Sequence, residues 1–331
     1  MTQPTKMPMP ARNAATTAHT PVSGWIEAGV FVFAIGLLSV AYAVGHQIGA
    51  HPIALVLYAM VVSASLLLIV TGPGPDARAI VLAPQSWLIG AGTIAMEVFY
   101  FMLLQHLPPA DGSVMVRLTV PISLLVGWTL FARRPRPLSI AGAALMCLGM
   151  VPVLISVAPQ YLADVAIAAV GCSLAFNLRT FAAEFHPWNR RARTVTEKLR
   201  ITGLVVLVTS MCALALAAVA AALVGTGVLP PTPLVPTADQ MLHLPTFLLG
   251  VVVGSVVLTA MWVLGFSSVV KITTENFAAA AAFSPLAALI VQLLAGALGL
   301  IPLFPVGASL LVAIAAVIAG VFLMLYAVRR G

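Results

Sequence analysis

Residues 96–131 read MEVFYFMLLQHLPPADGSVMVRLTVPISLLVGWTLF, which is an apolar run, a short polar turn with two prolines, and a second apolar run. A helix that spans a bilayer needs about 20 predominantly apolar residues. The second run, 113–131, has 19 residues, and the first reaches 22 when it is extended upstream to residue 86. Within hydrocarbon only helices or closed barrels satisfy their own backbone polar groups. This stretch lacks the alternation of a barrel strand, so it predicts two antiparallel spanning helices joined by a tight turn.

The same apolar pattern covers most of the chain. Of the 331 residues, 61% are hydrophobic and only 8% are charged, whereas soluble domains are about 25% charged. This composition excludes a soluble globule, a disordered chain and a nucleic-acid-binding protein. The sequence therefore predicts an all-α membrane protein with ten transmembrane helices, at residues 25–48, 52–70, 86–107, 113–131, 138–157, 162–182, 201–224, 247–270, 276–298 and 306–328.

The basic residues indicate how the ten spans are oriented in the membrane. With ten spans, all of the 16 lysines and arginines except Arg117 fall on one side of the membrane or at its edge. Loops rich in Lys and Arg face the cytoplasm, so both termini are predicted to be cytoplasmic in a bacterial inner membrane. The polar residues 1–20 lack the apolar core of a secretory signal and predict a disordered cytoplasmic tail.

An internal repeat relates the two halves of the chain. Residues 261–295 read MWVLGFSSVVKITTENFAAAAAFSPLAALIVQLLA and repeat the helix, turn, helix and proline of residues 96–131, with Pro285 in the place of Pro121. Each half, 21–158 and 159–331, contains five spans, so the second half must be inverted relative to the first. Inverted repeats are typical of transporters, in which two opposed halves surround a central substrate site.

The residues of these hairpins also carry a family resemblance. Residues 271–286, KITTENFAAAAAFSPL, resemble the signature hairpin of EamA-type transporters of the drug/metabolite transporter superfamily, as do residues 106–121 in the first half. The resemblance extends over the two-by-five layout of residues 21–330. It implies a carrier of small metabolites, typically an exporter of amino acids or related compounds.

Two charged residues are predicted to lie deep in the membrane. Glu97 in span 3 and Arg117 in span 4 lie about 15 Å and about 12 Å from the external ends of their helices, at 1.5 Å per residue. A charge at this depth costs about 2.5–3.5 kcal/mol on insertion scales and therefore needs a partner or a function. One interpretation is a substrate-binding pair in a central cavity, with Glu97 also carrying a proton. The alternative is a structural ion pair that joins spans 3 and 4.

Further candidates are aromatic, polar and proline residues within the spans. Tyr42, Tyr100 and Trp262 are predicted to stack on a substrate, although aromatic residues in helices more often serve packing. Asn177 is predicted to bind substrate or to form a hydrogen bond between helices. The final candidates are two prolines that remove backbone donors within symmetric spans, and we predict that both act as hinges: Pro121 and Pro285.

These observations predict a transporter rather than an enzyme. The sequence has no nucleotide-binding loop, metal-ligand spacing or catalytic constellation, so no cofactor, no metal and no ATP drive are expected. The expected function is secondary-active or facilitative export of a small organic metabolite, such as an amino acid, by alternating access. The expected partners are the substrate, protons and the lipid bilayer but no nucleic acid, for a monomer or a homodimer. The alternative is a flippase for a lipid or lipid precursor, which should have a lateral groove lined by basic residues.

Overall fold

The prediction of an all-α chain with ten apolar spans is confirmed. The computed structural model describes residues 21–230, 232 and 234–329, so the predicted tail of residues 1–20 lies outside the described residues. Within the described residues the chain forms helices and no strand, and its only strand-like pairing is an isolated bridge between Thr232 and Val235. Ten helices are long and apolar enough to cross a membrane, which fits a multi-pass membrane protein.

The spans, numbered 1 to 10 in chain order, lie close to their predicted positions, except that spans 7 and 8 begin six and nine residues before their predicted starts. They are Val22–Gln47, Pro52–Thr71, Pro84–Leu103, Pro109–Phe131, Pro137–Ser156, Pro159–Phe185, Val195–Gly225, Ala238–Thr274, Asn276–Ala297 and Ala308–Ala327. Two short helices lie between the spans, at Ala77–Leu82 and Pro187–Arg191, and span 8 begins with a third, Ala238–Met241.

Local sequence explains where several spans begin. Spans 2 to 6 each start at a proline, whose missing N–H is not needed in the first helical turn. Span 7 starts six residues before its predicted start, because Thr194 and Glu197 form a capping box in which each side chain accepts a hydrogen bond from the other residue's backbone N–H. This cap extends the helix into a polar segment that hydropathy alone assigns to a loop.

Spans 4, 8 and 9 contain irregular segments. Span 4 consists of two helices, Pro109–Val116 and Thr119–Phe131, and span 8 contains a π-helical segment at Val253–Leu258. Near the end of span 8, Thr273 has a φ of 70° and begins the turn into span 9. A β-branched residue in this left-handed region is strained, so the surrounding hairpin must hold it in place.

The packing of the spans follows a regular pattern. Span 3 packs on span 6, and span 1 packs on span 8; likewise span 4 packs on span 6, and span 1 packs on span 9. Spans 2 and 7, spans 4 and 9, and spans 5 and 10 pack as pairs. A shift of every span number by five turns the pair 3–6 into 8–1 and the pair 4–6 into 9–1, and both of these pairs are present. The pairs 2–7, 4–9 and 5–10 map onto themselves.

Glycines allow spans 5 and 10 to approach very closely. A Cβ atom on Gly142 would lie 2.5 Å from the carbonyl oxygen of Gly320, and a Cβ atom on Gly320 would lie 2.6 Å from the carbonyl oxygen of Gly142. Contacts this short are forbidden between these atoms, and both belong to rigid helical backbones. The two helices therefore cross at a site where only glycine fits, as is common in membrane bundles.

We expect Gly142→Ala to destabilise the bundle by about 1–3 kcal/mol, because the added methyl group forces spans 5 and 10 apart. Gly29→Ala is the matched control, since a Cβ atom there would meet nothing within 4 Å and alanine favours the helix. The thermal midpoint of each purified variant measures the difference. Equal midpoints for the two variants would contradict the close crossing.

Candidate functional site

Spans 4 and 9 are each broken a few residues before a proline. Span 4 is interrupted at 117–118, and the helix of residues 119–131 that follows carries Pro121 in its first turn. Span 9 is interrupted at 282–283, and the helix that follows carries Pro285 in its first turn. Backbone N–H groups of a first turn have no partner within the helix, so each proline lies where its missing donor costs no helical hydrogen bond.

A hydrogen bond joins the two breaks. Arg117 ends the first helix of span 4, and its Nη2 donates to the hydroxyl of Ser284, which begins the second helix of span 9. The Nε of Arg117 is buried and has no hydrogen-bond partner among the described residues. The guanidinium is therefore anchored across the breaks while one of its donors remains free.

A cavity of about 900 Å³ lies beside this contact. Its walls are mostly apolar, as is typical of small-molecule sites, and they come from spans 1, 3, 4, 5, 6, 8, 9 and 10. The cavity extends to residues 133–136, which connect spans 4 and 5. That loop belongs to the face that also carries Arg78, residues 190–200 and Lys271, which we call the basic face.

The other end of the cavity is closed by packed side chains. Tyr42, Phe101, Leu104 and Leu107 are all at most 6% exposed there. The Tyr42 ring packs edge-on against Phe101 at 5.3 Å between centroids. The cavity therefore reaches the loop of residues 133–136 on the basic face, whereas none of its described lining residues lies in a loop of the opposite face.

Glu97 is the acidic residue deep in the cavity. Its side chain is 5% exposed, and its Oε2 accepts a hydrogen bond from the Tyr42 hydroxyl at 2.8 Å. The Glu97–Arg117 ion pair weighed from the sequence is not among the ion pairs of the described chain, since Arg117 bonds to Ser284 instead. The two charges therefore line one cavity as separate groups.

Arg179 is a second arginine of the cavity, and sequence reasoning missed it. Its position near the end of predicted span 6 was interpreted as an orientation signal, but span 6 continues to Phe185 and Arg179 lines the cavity. The guanidinium carbon lies 4.8 Å from the centre of the Trp262 ring, and Nη1 lies 3.7 Å from the Met96 sulfur. The spacing of Cys172, Phe176 and Arg179, which fits one helix face, was the available signal.

The other predicted residues divide into two groups. Tyr100 and Trp262 line the cavity with Glu97 and Arg117, whereas Tyr42 and Asn177 are not among its lining residues. Tyr42 reaches the cavity through its bond to Glu97. Asn177 is buried and donates to the carbonyl of Thr119 in span 4 at 3.2 Å, which is the interhelical bond weighed from the sequence. Direct substrate contact by these two residues stays a prediction.

Pairs of ionisable side chains connect each hairpin to the opposite half of the chain. Lys271, in the span 8–9 hairpin, pairs with Glu27 at the start of span 1. His106, in the span 3–4 hairpin, has its Nε2 3.9 Å from the Oδ2 of Asp164 near the start of span 6. In each contact, the hairpin between the third and fourth spans of one half meets the first span of the other half. The two contacts lie on opposite faces of the bundle.

An ion pair between Arg133 and Glu184 lies at the mouth of the cavity. Arg133 makes two hydrogen bonds with the Glu184 carboxylate, one of them at 3.1 Å, and these bonds raise the pKa of Arg133 above its ordinary value. Both side chains are about half exposed, so the pair adds little to stability. Among the described residues, no group of three or more His, Cys, Asp and Glu side chains is arranged to hold a metal ion.

Comparisons with known proteins give information on the fold but not on the function. No protein-family model matches the chain, and no curated protein matches it in sequence. A crystal structure of a protein has 18% sequence identity to the chain and a TM-score of 0.56, covering 94% of this chain and 100% of the other. At this identity the similarity shows the fold alone.

Proposed function

We propose that this protein is an alternating-access transporter of the EamA type, in the drug/metabolite transporter superfamily, that exports a small organic metabolite such as an amino acid. The observation that carries the proposal is the cavity of about 900 Å³, which reaches loop residues of the basic face but no loop residue of the opposite face, and which is lined in its depth by Glu97, Arg117 and Arg179. Separate charges of both signs at membrane depth are costly and mark transport pathways in membrane proteins. A charged substrate that enters the cavity would offset part of this cost.

Three regularities support an inverted repeat of the halves 21–158 and 159–331. The pairings of span 3 with span 6 and of span 4 with span 6 recur, after a shift of five, as those of span 8 with span 1 and of span 9 with span 1. Spans 4 and 9 are both broken just before a proline. Each hairpin also pairs with the first span of the other half, through Lys271–Glu27 and His106–Asp164. In inverted-repeat carriers, broken helices lie beside the substrate and the two halves rock around them, so we propose Pro121 and Pro285 as the hinges.

The proposed orientation follows from the positive-inside rule. The basic face would be cytoplasmic in an inner membrane, with both termini on that side, and the cavity would then be open to the cytoplasm. A cavity that loads from the cytoplasm suits an exporter. Proton coupling, if the carrier is secondary-active, would use Glu97, the carboxyl group in the depth of the cavity.

Efflux from proteoliposomes tests the proposal. The purified full chain, reconstituted in liposomes loaded with a mixture of common amino acids and amines, should release a subset of them faster than protein-free liposomes do. Mass spectrometry of the external medium identifies the subset. Release at the protein-free rate for every compound would contradict a metabolite transporter.

The flippase alternative is less well supported. A second cavity of about 460 Å³ lies between spans 1, 9 and 10, with Trp25, Phe283 and Phe322 among its lining residues. Its described lining contains no lysine or arginine, whereas a path for an anionic lipid headgroup requires basic groups. A dithionite assay with fluorescent phospholipid in the same liposomes discriminates the two functions, since scrambling of lipid without metabolite release would favour the flippase.

A further inference from the structure

The charges that line the cavity are unbalanced. Five arginines and two glutamates line it. At the mouth, Arg133 is paired with Glu184, and Arg136 donates to the carbonyl of Ala327. In the depth, two guanidinium groups, those of Arg117 and Arg179, stand against the single carboxylate of Glu97. The deep part of the cavity therefore carries an excess of positive charge.

The protein does not neutralise this excess. No carboxylate of the described chain lies within ion-pair distance of Arg117 or Arg179. The partners of these arginines are a neutral hydroxyl, a thioether and an indole face: Ser284, Met96 and Trp262. Glu97 accepts its hydrogen bond from a tyrosine instead. Glu97 interacts electrostatically with Arg179 from beyond ion-pair distance, whereas Arg117 has no carboxylate among its electrostatic partners. The single carboxylate therefore leaves one of the two guanidinium charges uncompensated.

The free donor of Arg117 indicates what would compensate it. Nε and Nη2 form one edge of a guanidinium, and a carboxylate bound to that edge accepts from both nitrogens. In Arg117, Nη2 is held by Ser284 and Nε is buried without a partner. Ser284 therefore holds this edge in place through Nη2, while the N–H of Nε remains available to an anionic oxygen. The guanidinium of Arg179, whose face is held against Trp262, presents a second fork.

We propose that the transported molecule is a small organic anion whose carboxylate binds between Arg117 and Arg179. This inference rests on the proposed function, and it narrows the substrate from metabolites in general to those with a net negative charge. An amine on the same molecule has Glu97 as its partner. The largely apolar wall, which includes Phe31 and Phe277, accommodates a carbon skeleton.

Acid and amide pairs of one shape test the charge requirement. Proteoliposomes are loaded with L-glutamate and L-glutamine, with L-aspartate and L-asparagine, with succinate and succinamate, and with L-lysine as a cation. We expect the acid to leave at least about tenfold faster than its amide, which corresponds to one lost hydrogen bond between charged groups. Equal rates within the pairs, or faster release of lysine, would overturn the inference while leaving the transport function intact.

Binding to the purified protein separates this inference from the proposed function. The thermal midpoint should rise more with the acids than with their amides, and Arg179→Gln and Arg117→Gln should each abolish the difference. Arg78→Gln is the matched control, because Arg78 is exposed and outside the cavity. Acid-selective binding without flux would refute the transporter and keep the anion site. Acid-selective binding that survives both cavity variants, or binding without acid selectivity, would overturn the anion site.

Discussion

Glu97→Gln should reduce substrate flux by roughly 10–150-fold, which corresponds to the loss of about 1.5–3 kcal/mol for a hydrogen bond to a charged group. Glutamine keeps the shape of the side chain and an oxygen for the Tyr42 hydroxyl, so the protein should still fold and insert. The variant removes only the charge and the capacity to carry a proton. Initial efflux rates from proteoliposomes with equal protein content measure the effect.

Glu184→Gln is the control for this substitution. Glu184 also lines the cavity, but at the mouth, where it is about half exposed and pairs with Arg133. Exposed pairs contribute about 0–1 kcal/mol, so its flux should remain within about fivefold of the original protein. Wild-type flux in Glu97→Gln, at normal protein levels, would remove Glu97 from the transport mechanism.

Proton coupling through Glu97 makes a separate prediction. Flux through the original protein should respond to an imposed pH gradient, because a carboxyl group that binds and releases a proton in each cycle couples the two movements. The residual flux of Glu97→Gln should not respond. Indifference of the original protein to the gradient would indicate facilitated diffusion instead.

Ala278→Trp should abolish transport regardless of which charges bind the substrate. Ala278 lines the cavity from span 9, and an indole at this position would occupy the space through which the substrate moves. Overpacking typically costs about 1–3 kcal/mol, but an open cavity can accept the ring with less strain than a packed core. We therefore expect a folded protein with flux at the level of protein-free liposomes.

Ala280→Trp provides the matched control on the same helix. Ala280 lines the second cavity, of about 460 Å³ between spans 1, 9 and 10, rather than the cavity that contains Glu97. The same added ring there should leave flux nearly unchanged, because it does not enter the proposed path. Loss of flux in Ala280→Trp alone would indicate that the substrate passes through the second cavity and would favour a lipid substrate.

The spans could be predicted from the sequence because hydrocarbon imposes a simple rule. Each spanning helix must be a continuous apolar stretch of sufficient length, so the second and ninth spans, Pro52–Thr71 and Asn276–Ala297, differ from their predicted ranges by only a residue. The two prolines likewise indicated where spans 4 and 9 would be interrupted. Span 7 was predicted too short, because hydropathy does not detect a capping box such as Thr194 with Glu197.

The detailed site could not be predicted, because it depends on which helix faces meet. Arg179 lies near a helix end, and only the packing of span 6 against spans 3 and 4 turns it toward Trp262. The bond between Tyr42 and Glu97 joins residues 55 positions apart. The π-helical segment that includes Leu258, a cavity residue, also has no signature in the sequence. These features arise from tertiary contacts rather than local patterns.

The central claim is that one cavity opens to the two faces of the membrane in turn, and thiol labelling tests it most directly. Val116→Cys, in a chain whose cysteines at 147, 172 and 212 are replaced by serine, introduces a single half-buried thiol in the cavity wall beside Arg117. A membrane-impermeant maleimide should label this thiol when added from either side of oriented vesicles. Labelling from the basic face alone, under conditions of active transport, would contradict alternating access.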